Sequence, residues 1–412
     1  MMTKTDVARG VAQLTGEGFH GVVNVVEGVH QSVLKTVGIF LPGTRIIQEM
    51  TGIVYHGVRG FGRLAAGALS DTMEITGRVR GASGNDAPLD RSLLTWVGAV
   101  NGAIGDHLEQ TNNPLALPLG FHHQGREIRL TGEALLEALP NARSHLIILV
   151  HGLGMNDLQW SKEEGVPGYG ELLEQDLYAT VLSLRYNTGR HISVNGREFA
   201  EHLEMLLALY PTEVKRLTLI GHSMGGLVIR SGCAIAREKG MDWLRQVHDV
   251  VCLGTPHYGA PLERLGNWVN FLLQNAPYTE SISLIGKVRS AGVKDLRYGW
   301  LRDEDWQGLD PDHPLEGDHR PVPLEPHIRY FLVAAYLSEK SGSHARVVGD
   351  GLVQLHSALG WHVDPAFALG VPDSHCRVFP GMGHFDLLTR PEVNREVMPW
   401  LKGKSARKRK GR

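Results

Sequence analysis

A serine bracketed by glycines, Gly221-His222-Ser223-Met224-Gly225-Gly226, stands between two patterned runs. Ahead of it, Arg216 to Ile220 is short, branched and apolar towards its end, which reads as a buried strand. Behind it, Leu227 to Lys239 reads as a helix that Gly240 is placed to stop. A strand, a sharp turn and a helix would push the hydroxyl at the apex out past the end of a sheet, where it could attack a carbonyl carbon. The five-residue pattern alone carries little weight. With 50 Gly and 19 Ser in 412 residues it arises by chance roughly 0.3 times, and a tight strand–helix turn with an inert serine is the plain alternative. The flanking strand and helix raise it above that level.

Carbonyl attack needs three further parts, and the chain holds a candidate for each. His151-Gly152-Leu153-Gly154 directly follows the apolar Leu149-Val150, and a glycine-rich turn there can aim backbone N–H groups at a developing oxyanion. The donors are assigned to Leu153 and to Met224, the residue after the serine. Gly349-Asp350-Gly351 lies beyond a strand at Tyr330 to Ala335 and could supply a carboxylate that orients an imidazole. Asp364 and Asp373 compete, but the flanking glycines favour Asp350. Gly383-His384 follows the last strand and precedes the closing helix, which selects His384 from 21 histidines. His375 and His362 are weaker, at a strand start and beside bulky residues. His222 and His151 read as structural supports of the two turns. The order Ser223, Asp350, His384 distinguishes one serine-triad scaffold from the others.

The elements that must position these residues alternate from Leu146 onward. Strands are expected at His145–Val150, Tyr178–Tyr186, Arg216–Ile220, Asp249–Leu253, His327–Ala335 and His375–Phe379. Helices are expected near Tyr169–Leu177, Gly196–Leu209, Met224–Lys239 and Glu392–Lys402, giving a mostly parallel sheet covered on both faces. A short helical stretch around Leu93 to Leu108 precedes a hairpin of Leu115–Phe121 with Arg126–Leu130 about Gln124-Gly125. The alternation fails between Gly259 and Pro326. There Leu265, Trp268, Val269, Phe271, Leu272 and Leu273 form an apolar patch followed by a Pro- and Asp-rich stretch, so residues 260–326 read as a cap or lid insertion.

Residues 1–85, rich in Val, Gly and Ala with spaced charges, read as an amphipathic helical segment, and 81–88 as a linker into a domain spanning 86–402. The plain expectation for 1–85 is an extension packed on the enzyme body or on a second subunit. The sharper one is peripheral contact with a membrane or lipid granule. Lys402, Lys404 and five more basic residues crowd the C-terminus, so 403–412 reads as a solubilising tail rather than a nucleic-acid contact. Cys233, Cys252 and Cys376 have no metal-like spacing and are odd in number, which argues for a reducing compartment and against zinc. No secretory signal or spanning run is read, so the expected location is the cytoplasm, with membrane association as the variant. No cofactor and no nucleic-acid partner are expected.

The turns Val150-His151-Gly152-Leu153-Gly154, Gly221-His222-Ser223-Met224-Gly225-Gly226, Gly254-Thr255-Pro256-His257-Tyr258-Gly259-Ala260-Pro261, Gly349-Asp350-Gly351 and Gly383-His384 resemble those of the α/β-hydrolase lipases and esterases. Among these, the chain looks like the GPI inositol-deacylase-like bacterial hydrolases. The likeness covers about residues 110 to 402. It implies the α/β-hydrolase fold and cleavage of a small-molecule or lipid carboxylic ester through an acyl-enzyme on Ser223. The apolar patch favours a medium or long acyl chain. The alternative is a non-catalytic protein that keeps the scaffold to bind a membrane, lipid granule or protein partner.

Overall fold

The computed structural model describes residues 2–14, 89, 91–160, 168–261, 290–309, 320–338 and 349–403. The apolar patch at 265–273, the linker at 81–88, nearly all of the 1–85 segment and residues 404–412 of the basic tail lie outside these.

Eight strands form one sheet: β1 (Gly120–His123), β2 (Arg126–Glu127), β3 (His145–Val150), β4 (Thr180–Arg185), β5 (Arg216–His222), β6 (Val247–Leu253), β7 (Arg329–Tyr336) and β8 (Cys376–Pro380). The helices are α1 (residues 4–14), α2 (Arg91–Gln110), α3 (Gly132–Ala138), α4 (Tyr169–Leu177), α5 (Ile192–Leu209), α6 (Met224–Lys239), α7 (Ala291–Tyr298), α8 (Leu355–Ala358), α9 (Asp386–Thr389) and α10 (Pro391–Leu401). The sheet order is β2-β1-β4-β3-β5-β6-β7-β8. The pairs from β4 to β8 are parallel, and β1 joins antiparallel to both β2 and β4. This is the α/β-hydrolase fold.

Side chains alternate across a strand, so a fully buried strand must feed two cores. In β3, Leu146, Ile148 and Val150 join one core with residues of α2, α5 and α6. Ile147 and Leu149 join the other with residues of α4 and α10. Both faces are therefore roofed by helices. β3 is flanked by β4 on one side and β5 on the other, so the chain reverses its direction of travel there. Loops leaving the carboxyl ends of β3 and β5 diverge around a crevice at such a switch point.

The expected strands and helices of the body are present, with shifts that have physical causes. The hairpin strands are shorter than their patterning suggests. Pro118 lacks the N–H a ladder needs, and the preceding residues pair with Asn101 of α2 instead. The Asn101 side chain donates to the Leu115 carbonyl at 2.8 Å and accepts the Leu117 N–H at 2.9 Å. Gln124 and Gly125 both have positive φ, as the hairpin turn requires. Helix α5 starts at Ile192 rather than Gly196, because the distant Asp295 carboxylate accepts the Ile192 N–H at 2.7 Å. α3, unexpected from sequence, is capped by Thr131, whose hydroxyl accepts the Ala134 N–H.

Helix α1 lies on the body. Val7 is fully buried, the Asn113 side chain donates to the Gly10 carbonyl at 3.0 Å, and Gln13 donates to that of Thr111. The described residues of 260–326, the stretch expected to form a cap, are also packed down. Gly292 donates to the Gly189 carbonyl at 3.0 Å, Ser290 to that of Gly102, and Trp306 Nε1 to the Ser193 hydroxyl. No helix among the described residues is long and apolar enough to cross a membrane.

Candidate active site

The end of β5 turns abruptly into α6 at Ser223, whose φ of 53° and ψ of −122° are unusual for a residue with a side chain. The Ser223 N–H donates to the Leu253 carbonyl at 2.8 Å, anchoring the turn to the end of β6. Gly225 is required by close approach: a Cβ there would come within 2.2 Å of the Val150 carbonyl oxygen. Elbow and β3 exit are thus pressed backbone to backbone. Ser223 itself stays half-buried.

The turn after β3 is held on several sides. Met155 N–H donates to the Gly152 carbonyl at 3.2 Å, Gly154 N–H to the Thr188 hydroxyl at 3.0 Å, and the Tyr186 hydroxyl to the His151 carbonyl at 2.7 Å. The Tyr186 ring also stacks on His151, centroids 4.4 Å apart. Leu153 and Met224 are both buried, at the turn and at the first position of α6. A Cβ on Gly152 would lie 3.0 Å from that of Ser223, which puts the turn against the serine.

Asp350 and His384 lie on loops beyond β7 and β8, and both are buried. The two oxygens of Asp350 have different tasks. Oδ1 accepts the N–H groups of Leu352 and Val353 at 3.0 and 2.8 Å, and Oδ2 faces Nδ1 of His384 at 2.7 Å. The His384 N–H donates to the Asp350 carbonyl at 3.1 Å. The ring lies over the end of β6, where a Cβ on Gly254 would sit 3.0 Å from Cε1 of His384. Gly254 follows Leu253, the residue that receives the Ser223 amide, so serine and imidazole share one strand end. The competitors lie apart from this cluster. Asp364 and His362 are exposed, with the His362 ring bonded to the Asp364 backbone, Asp373 is exposed, and His375 packs on Phe331.

Three more imidazoles are buried around the elbow, and burial keeps each one uncharged. It takes His151 down to about 4 and His222 well below its ordinary value. His257 is depressed in the same way by burial and by the neighbouring Arg230, whose Nη1 donates to Nδ1 of His257 at 3.2 Å. Tyr186 and Thr188 escape a reading of the sequence because they follow β4 and meet the β3 turn only in space. The buried Asp157–Arg185 ion pair beside them had one visible signal, an arginine closing an otherwise uncharged strand.

Residues 140–297 match the model of a family described as "Putative serine esterase (DUF676)". That stretch includes Leu153, Ser223 and Met224 and ends before Asp350 and His384. Among solved structures, a lipase from Bacillus licheniformis in its mature form matches at 18% identity over 62% of this chain and 91% of its own, with a TM-score of 0.38. A thermophilic esterase from Thermogutta terrifontis matches at 14% identity over 70% of this chain and 94% of its own, TM-score 0.37. A Pyrococcus furiosus esterase matches at 16% identity over 65% and 84%, TM-score 0.35.

Proposed function

We propose that this α/β-hydrolase-fold chain is a serine hydrolase that cleaves carboxylic esters through an acyl-enzyme on Ser223. The observation that carries the reading is the 2.7 Å contact between His384 and Asp350, made at the strand end that also anchors the strained Ser223. The family match over residues 140–297 supports the same chemistry from the nucleophile side.

In this reading His384 takes the Ser223 proton through Nε2 as the oxygen attacks the ester carbonyl. Asp350 holds the ring by Nδ1 and stabilises the imidazolium. The carbonyl oxygen becomes negative, and the Leu153 and Met224 amides are its donors. His384 then protonates the departing alcohol. Water enters, gives its proton to His384 and attacks the acyl group, and Ser223 regains its proton as the acid leaves. The buried imidazoles at 151, 222 and 257 stay neutral, so no second imidazolium competes with the one that forms on His384.

A medium or long acyl chain, as in a lipase or carboxylesterase, is the substrate class we favour, on the strength of the apolar run at 265–273 in the sequence. Ester turnover should be measured across p-nitrophenyl esters of increasing acyl length, with fluorophosphonate labelling of the folded protein. We expect labelling at Ser223, and a loss of roughly 10⁴-fold or more in kcat for Ser223→Ala. Wild-type turnover in Ser223→Ala would sink the proposal, and a sharp preference for acetate would sink the acyl-chain part of it.

A further inference from the structure

His222 precedes the nucleophile in sequence, yet its ring faces the proposed base. It is fully buried, its ring lies 4.7 Å from that of His384, and its Nε2 is 3.2 Å from the His384 carbonyl oxygen. A carbonyl oxygen can only accept, so Nε2 of His222 carries the proton and donates. Nδ1 is then the bare acceptor, and it makes no hydrogen bond. It faces Gly152, where a Cβ would come within 3.1 Å. The tautomer therefore follows from the partner.

The loop carrying His384 is also tied to the loop of the acid and to the end of β7, where the Gly381 and Met382 N–H groups donate to the Ser338 and Tyr336 carbonyls. The His384 N–H and Nδ1 both reach Asp350, 34 positions earlier in the chain. The His222 bond is different, because it spans 162 positions and joins that loop to the strand that ends in the nucleophile. We infer that His222 is a positioning residue: its Nε2–H holds the main chain of His384 at the distance from Ser223 that proton transfer needs. This rests on the reading of His384 as the base. Proton transfer falls off steeply with misplacement, and a shift of about 1 Å is enough to cost about 10²-fold in rate.

Three substitutions separate positioning from packing. Gln places an amide N–H near the position of Nε2. Asn places one near Nδ1, facing Gly152. Phe keeps a ring and has no donor. We expect His222→Gln to keep kcat within about tenfold of wild type, and His222→Phe and His222→Asn to lose about 10²-fold in kcat with KM within about twofold. Hydrogen exchange of residues 381–386, followed by mass spectrometry, should rise in the Phe and Asn variants and stay near wild type in the Gln variant. A kcat order that follows apolar volume, with Phe at or above Gln, would overturn the inference, as would equal losses in all three. If the wild-type protein turns over no ester, the functional reading fails. The exchange pattern then still decides whether His222 tethers the loop.

Discussion

Ser223 holds a backbone conformation that only glycine adopts without cost, and sparsely populated conformations of this kind cost roughly 1–3 kcal/mol. Replacing it with glycine relieves that strain, while the freer unfolded chain takes back part of the gain. Ser223→Gly should therefore be stabilised by about 1 kcal/mol in urea unfolding and have no ester turnover. A destabilised Ser223→Gly would show that the elbow is not strained. Asp350 divides its oxygens between two backbone amides and the His384 ring, and an amide in its place must turn a donor towards one of them. Asp350→Asn is expected to lower kcat by about 10⁴-fold, as loss of the imidazole's orienting acceptor does in serine triads generally. A kinetic profile close to wild type would remove Asp350 from the site.

At the scale of elements, the start of α5 is joined to α7 through one carboxylate. Asp295 is buried on α7, accepts the Ile192 N–H at 2.7 Å and receives His191 Nδ1 at 2.9 Å. The His191 ring in turn stacks on Trp306, centroids 3.6 Å apart. Burial raises the pKa of Asp295 and the His191 contacts act against that rise, so the carboxylate is held by its partners and not by water. Asp295→Ala leaves a helix N-terminus and an imidazole without their acceptor and should cost about 2–4 kcal/mol. Urea unfolding checks it, and a change below about 0.5 kcal/mol would mean that the α5–α7 junction does not depend on this group. Thr131, by contrast, caps α3 from its own sequence neighbourhood, as a local signal can.

For the whole molecule, the neutral imidazoles make stability depend on pH. An unfolded histidine takes up a proton near 6.5, whereas burial holds His151 down to about 4 and His222 and His257 well below their ordinary value. Between these limits the unfolded chain binds protons that the folded one refuses, so stability is lost as pH falls from about 6.5 towards 4. His151 alone contributes roughly 1 kcal/mol per pH unit across that window. The urea midpoint should drop clearly between pH 7.5 and pH 5.5, and His151→Phe should show a shallower drop. A midpoint independent of pH over this range would mean that the imidazoles are not held neutral.

The patterning of the chain was sufficient for the alternation of strands and helices and for a sheet covered on both faces, and it singled out Ser223, Asp350 and His384, the last two of which the fold brings to 2.7 Å of each other. Period and local turn chemistry act within a few residues, and each of these features sits on a strand end or a glycine turn that such signals mark. The tertiary structure alone decided how these pieces meet. The Asn101 side chain takes the backbone groups that would have lengthened the hairpin, Asp295 starts α5 a turn early, and Tyr186 and Thr188 hold the β3 turn. The His222 N–H reaches His384 across 162 positions. Hydrogen bonds between distant segments exist only once the sheet has set its strand order, and no periodicity in the chain records which buried donor will find which acceptor.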